Sequence, residues 1–246
     1  MKHLAIIPAR GGSKRLPGKN ILPCAGKPLL AHTLEQTQQA RLIDRTIVST
    51  ENSAIAAVAQ RYGVEVIWRP AELASDTATT LAVLRHALNE VERQGWSPDL
   101  VILLQCTSPV RRPEDIDRAI QTLLAQGADS LFSACVSHAC IWQEDAGGLR
   151  AVTYEPANRQ REQDWPRQLR ENGSIFVMKP WVLREMTGNC LGGKIAVYEM
   201  DVWGSFQIDT PEDLKLCDWI LRTNVFSQVD QTHPGASPLE TSGTTR

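Results

Sequence analysis

Between Ala9 and Asn20 the chain sets Arg10, Lys14, Arg15 and Lys19 among Gly11, Gly12 and Gly18, directly after the apolar run Ala5-Ile6-Ile7-Pro8. These residue types suit phosphate binding. Glycines let backbone N–H groups approach phosphate oxygens closely. An arginine grips them in a bidentate fork, and a lysine acts as a point charge. Residues 1–34 carry Lys2, Arg10, Lys14, Arg15, Lys19 and Lys27 and no Asp or Glu, although the whole chain has a net charge of −2. A positive pocket on a mildly negative body fits a small anionic ligand and gives no case for nucleic acid. Two common phosphate loops fail. Five residues separate Gly12 from Gly18 and Asn20 follows Lys19, which breaks the Walker spacing, and G-x-G-x-x-G is absent. The alternative to a phosphate loop is a solvated basic one, but four cations without an acid, following a strand, favour the ligand.

Four further segments place polar groups at the ends of apolar runs. They are Arg69-Pro70-Ala71-Glu72-Leu73-Ala74-Ser75-Asp76-Thr77-Ala78-Thr79-Thr80, then Leu103-Leu104-Gln105-Cys106-Thr107-Ser108-Pro109-Val110-Arg111. Arg161-Glu162-Gln163-Asp164-Trp165-Pro166, with Glu171-Asn172-Gly173-Ser174, comes next, followed by Phe206-Gln207-Ile208-Asp209-Thr210-Pro211-Glu212-Asp213. Read alone, the first is equally a capped helix start with Arg69 on the surface, and the second a strand-terminating turn.

With the opening loop, these segments resemble the acylneuraminate cytidylyltransferase family over residues 2–222. The resemblance implies a Rossmann-like nucleotidyltransferase fold of the nucleotide-diphospho-sugar transferase type, acting as a homodimer. It implies transfer of CMP from CTP to a nine-carbon 2-keto acid sugar such as N-acetylneuraminate or a legionaminate- or pseudaminate-type analogue. By similarity, Ala9, Arg10, Gly11, Gly12, Lys19 and Asn20 hold the nucleotide, with Arg10 and Lys19 on its phosphates. Arg69, Ala78 and Thr80 line the cytosine pocket. Gln105 and Arg111 serve the acceptor sugar, and so do Arg161 and Gln163, from an excursion that packs on the partner subunit and reaches into its site. Asp209 holds the cofactor Mg²⁺ against the CTP phosphates and joins Arg10 and Lys19 in catalysis.

Two positions depart from the family pattern. Leu169 stands where the family has Tyr, and Gln207 where its best-studied members have the first carboxylate of a D-x-D pair. Asp213 is then either a second metal ligand or a helix cap, with the cap favoured. An eight-carbon acid sugar as acceptor, and a nucleotide-binding protein without catalysis, are the competing readings. The first is disfavoured because Gln105-Cys106-Thr107 ends the central strand where that family carries an Asp.

The elements that must position these residues follow from periodicity. Strands are expected at 3–8, 45–50, 64–68, 100–104, 130–136, 174–178 and 194–200, and helices at 28–39, 53–62, 79–94, 113–125 and 210–221. The all-apolar run 100–104 suits the centre of a parallel sheet. The β-α-β alternation predicts an α/β, doubly wound, mostly parallel sheet, whose ligands bind beyond the carboxyl ends of the strands. One domain is expected over 1–225, with an Arg- and Gln-rich dimerisation excursion at 138–172 and a disordered tail at 226–246. Six cysteines without CxxC spacing, together with no signal or membrane-spanning segment, read as a cytoplasmic chain with reduced thiols.

Overall fold

A computed structural model of the protein describes residues 1–224, so the expected tail at 226–246 lies outside the described residues. Eleven strands are numbered here in chain order: β1 His3–Pro8, β2 Pro23–Cys24, β3 Lys27–Pro28, β4 Arg45–Thr50, β5 Glu65–Trp68, β6 Leu100–Leu104, β7 Ser130–Val136, β8 Trp142–Asp145, β9 Gly148–Ala151, β10 Leu169–Met178 and β11 Ile195–Glu199. The helices are α1 Leu29–Gln39, α2 Ser53–Arg61, α3 Thr80–Arg93, α4 Pro113–Ala125, α5 Pro180–Glu185 and α6 Pro211–Thr223.

Seven strands form one sheet in the order β11-β7-β10-β6-β1-β4-β5. β1 pairs parallel with β4 and β6, β4 with β5, and β7 with β11, while β10 runs antiparallel to both neighbours. The sheet is therefore mostly parallel, as expected, with one correction. The apolar strand β6 is parallel to β1 on one side and antiparallel to β10 on the other. A fully buried strand reads as continuously apolar whichever way its neighbour runs, so the run 100–104 carries no information on direction.

Side-chain alternation splits the core. Ala5 and Ile7 of β1, with Ile102 and Leu104 of β6, face Leu30 and Leu34 of α1, Val58 of α2 and Ile120 of α4. Leu4, Ile6, Val101 and Leu103 face Leu84, Leu88 and Val91 of α3 and Val182 and Leu183 of α5. Helices thus cover both faces, which is the doubly wound arrangement. Helix starts follow local rules. Asn52 accepts from the amides of Ala54 and Ile55 at 2.9 and 3.1 Å, and Thr79 from Ala82 at 3.1 Å. At α6 the hydroxyl of Thr210 accepts from the Asp213 amide, and Asp213 accepts in return from the Thr210 amide at 2.8 Å. Asp213 is a capping-box residue, the favoured of its two readings.

The expected excursion ends earlier than 172. β10 begins at Leu169 and reaches Phe176 through an irregular register after Glu171. Its first half is polar, and the alternation reading saw only the apolar second half. Before it, β8 and β9 form a separate hairpin. Beyond that hairpin, Tyr154 stacks on Trp165 and meets Trp142 edge-on, with centroids 5.9 Å apart in both pairs. Among the described residues no helix is long and apolar enough to cross a membrane.

All six cysteines are free; Cys140 is exposed and the other five are buried. Burial raises the thiols of Cys24 and Cys190 to about 11 and those of Cys106 and Cys217 to about 12. The reactive species is the thiolate. Brief treatment of the native protein with iodoacetamide near pH 8 is expected to label Cys140 alone, and denaturant to expose all six; intact mass gives the count.

Candidate functional site

The pocket opens where strand order reverses. From β1 the chain passes through α1 to β4 on one side, while β6, reached after α3, pairs with β1 on the other. At such a switch point the loops beyond the strand ends separate and leave a crevice. It has a volume of about 310 Å³ and is lined by residues from the ends of β1, β5 and β6, among them Arg10, Lys19, Asn20, Arg69, Gln105 and Thr107. Ala78 and Thr80, from the start of α3, complete the wall expected to receive a base.

The cations at this rim are each tied to an oxygen. Lys19 lies in a short 3-10 turn, and its Nζ donates to the carbonyl of Ile208 at 2.9 Å and to Oδ1 of Asp209 at 3.0 Å. Arg10 donates to the Ser75 carbonyl at 3.1 Å and pairs with Asp76 at 3.2 Å. Asn20 is buried and donates to the Arg10 carbonyl at 3.0 Å, which holds the loop shut at its base. Arg69 is buried as well. Its guanidinium donates to the carbonyls of Ser49 at 2.6 Å and Leu73 at 3.2 Å, and Glu51 lies 3.5 Å away. Burial lowers its pKa, and the charge of Glu51 opposes that shift.

Gly11 has a narrower role than its position suggested. Its amide donates to Oε1 of Glu51 at 2.6 Å. A Cβ there would sit 2.4 Å from Nδ2 of Asn52, the residue that caps α2. Glycine is thus required for close packing against α2. Neither Gly11, Gly12 nor Ala9 lines the pocket, and Ala9 is buried, its amide bonded to the Ser49 carbonyl at 3.0 Å. Arg10, Lys19, Asn20, Arg69, Ala78, Thr80 and Gln105 come together around one cavity.

Arg111 lies elsewhere. It is 2% exposed, and its guanidinium donates to the Ser174 carbonyl at 2.7 Å, the Ser174 hydroxyl, Thr33 at 3.2 Å and Gln36 at 2.9 Å. These partners are all neutral. Arg111 clamps β10 to α1 from inside the core, and burial lowers its pKa to about 10, which still leaves it cationic at neutral pH. The Ser174 carbonyl also accepts from the Gln105 amide at 3.5 Å. Arg111 therefore reaches the site through the backbone that seats Gln105. Arg161 and Gln163 lie exposed on the excursion, outside the pocket, with Arg161 paired to Asp164 at 2.7 Å.

Gln207 donates through Nε2 to the Asn172 carbonyl. Gly173 has φ +61°, so glycine is needed there for its conformation, and a Cβ on it would come within 2.0 Å of that nitrogen and push the end of the Gln207 side chain aside. Asn172 is buried and fully engaged: its Oδ1 accepts from Ser133 at 2.6 Å and Ser174 N at 3.1 Å, while its Nδ2 donates to Ser205 at 2.9 Å. Cys106 borders the pocket, but burial keeps it a thiol, with its pKa raised to about 12. The acids Glu51 and Asp76 were not singled out from the sequence. The absence of any Asp or Glu near the basic loop was the available signal that partners must come from distant segments.

A doubly wound sheet with a cation-lined crevice at its switch point defines an α/β protein whose site suits an anionic ligand. Among solved structures, a CMP:2-keto-3-deoxy-manno-octonic acid synthetase complexed with CTP superposes with a TM-score of 0.71 at 22% identity, covering 91% of this chain and 100% of that one. A 4-diphosphocytidyl-2C-methyl-D-erythritol synthase gives 0.66 at 16% identity, covering 89% and 98%. The fold is thus that of Rossmann-like nucleotidyltransferases. The cytidylyltransferase family model matches residues 4–230, and the chain belongs to that family. It is 34% identical to N-acylneuraminate cytidylyltransferase A of Danio rerio over 92% of this chain and 53% of that protein. It is 45% identical to CMP-N,N'-diacetyllegionaminic acid synthase of Legionella pneumophila over 58% of this chain and 62% of that protein. The chain spans about half to three fifths of the length of these curated relatives.

Arg111→Ala would leave the oxygens of Ser174, Thr33 and Gln36 without their buried donor and open a cavity. We expect a loss of about 2–5 kcal/mol, read from the urea midpoint. Arg111→Lys is expected to recover only part of it, because a single ammonium cannot span partners on two elements.

Proposed function

We propose that the chain transfers CMP from CTP to the anomeric hydroxyl of a nine-carbon 2-keto acid sugar and releases pyrophosphate. The observation that carries this reading is the convergence of Arg10, Lys19 and Arg69 on one crevice at the switch point. The named activities of the curated relatives support the nine-carbon acceptor.

In the proposed reaction the sugar hydroxyl oxygen bonds to the α-phosphorus as the bond to the leaving pyrophosphate oxygen breaks and the hydroxyl proton departs to solvent. Lys19 is already fixed at the rim before the phosphates arrive, and Arg10, held in the same place, exchanges a carboxylate partner for a phosphate oxygen; together they stabilise the growing negative charge. Arg69, locked by two carbonyls, offers its remaining N–H groups to the acceptor atoms of cytosine. Gln105, seated by the Ser174 carbonyl, orients the sugar. Cys106, held as a thiol, contributes no base.

The residues fit a magnesium ion that is shared with substrate. Among the described residues no cluster of three or more His, Cys, Asp and Glu side chains could hold a metal alone. The Asp209 carboxylate is half-exposed and would be the one anionic protein oxygen offered to the metal, because Gln207 is bonded to the Asn172 carbonyl. Such a set suits Mg²⁺, which binds through few protein oxygens plus phosphates and water. When bound there, the metal would neutralise phosphate charge. Lys19, paired with Asp209, would keep that carboxylate directed at the phosphates. Two copies of the chain, each sending Arg161 and Gln163 of its excursion toward the other's crevice, complete the proposed assembly, which we place in the cytoplasm.

Pyrophosphate release from CTP, Mg²⁺ and a panel of nine-carbon acids tests the proposal. Arg10→Ala with Lys19→Ala should lower kcat/KM by about 100-fold or more. Turnover undiminished in the double variant, or absent for the intact protein with every nine-carbon acid while an eight-carbon acid reacts, would end it. CTP binding without turnover, persisting in Gln207→Asp, would favour a non-catalytic nucleotide-binding role.

A further inference from the structure

Asp76 bridges two cations of the phosphate loop. It lies in the turn after the 3-10 helix Ala71–Ala74, where the neighbouring Ser75 carbonyl also accepts from Arg10. One of its carboxylate oxygens is 3.2 Å from Arg10 and the other 2.8 Å from Lys14. The side chain is half-exposed at the edge of the pocket. Burial does not hold it there; the two cations do, and they keep its carboxyl below the usual range, the Lys14 hydrogen bond most of all. A carboxylate with one oxygen on each of two cations matches the charge and reach of two non-bridging phosphate oxygens.

We propose that Asp76 is a built-in stand-in for phosphate, which competes with phosphate oxygens for Arg10 and Lys14, so that every ligand that takes these cations must displace it and binds more weakly for doing so. The inference rests on the reading of the crevice as a triphosphate site. Binding is then an exchange of anions at the rim. A nucleoside, which brings no phosphate, leaves Asp76 in place. A triphosphate expels it. When pyrophosphate is the product, the returning carboxylate competes with it for the same cations and hastens its departure.

The test is calorimetry on the full chain with CTP, pyrophosphate and cytidine, comparing the unaltered protein with Asp76→Asn, which keeps the shape and removes the charge. Each exposed ion pair lost is worth little, so the two together predict CTP and pyrophosphate tightening by about 3- to 10-fold. Cytidine should bind as before. Glu72→Gln, on the same exposed segment but outside the pocket lining, controls for net charge and should leave CTP affinity within about twofold. CTP affinity unchanged or weakened in Asp76→Asn would overturn the inference, as would equal tightening in Glu72→Gln. Weaker cytidine binding in Asp76→Asn would overturn it too, by assigning Asp76 to the scaffold of the base pocket. Failure of the unaltered protein to bind CTP would instead remove the triphosphate reading itself.

Discussion

Like charges crowded at one rim are the constraint on which the site depends. Arg10, Lys14, Lys19 and Arg69 meet at the carboxyl ends of neighbouring strands, and the segment that supplies three of them has no acid of its own. Their mutual repulsion is relieved by carboxylates from three distant segments. Glu51 follows β4, Asp76 precedes α3, and Asp209 precedes α6. Backbone carbonyls of Ser49, Leu73, Ser75 and Ile208 take up further donors. Lys19 and Arg69 are thereby fixed before a ligand arrives, so little is lost in ordering them afterwards.

The side of the crevice that holds Gln105 is built differently. There the ordering element is β10, which enters the sheet against the direction of its neighbours and carries the Asn172-Gly173-Ser174 irregularity. The Ser174 carbonyl meets Arg111 from the core and the Gln105 amide from the end of β6. The Asn172 carbonyl meets Gln207. A fully buried guanidinium with neutral partners is costly to bury, and its fork geometry is what lets it join a strand to a helix. Arg111 and Asn172 thus shape the Gln105 side of the crevice from behind it.

Residue spacing made most elements legible. The strands at 3–8, 45–50, 100–104 and 130–136 occur at the expected bounds, as does the helix at 113–125. Apolar alternation and capping residues are local signals, and these segments obey them. The first half of β10 escaped notice because its polar side chains carry no strand pattern. The short helix α5 and the β8–β9 hairpin were also not anticipated. One has a single turn and a half, and the other buries almost nothing, so neither leaves a periodic trace.

What the sequence determined by itself was the inventory: a basic, glycine-bearing loop after a buried strand, the α/β alternation, and motifs that placed the chain among cytidylyltransferases. These rest on neighbours along the chain, where spacing alone sets which groups can meet. Only the tertiary structure decided that Arg111 points into the core, that the Gly11 amide is taken by Glu51, and that Asp76 spans Arg10 and Lys14. Each of these pairs joins groups 40 or more residues apart. Their meeting depends on strand order and on the direction of β10, which no local pattern encodes.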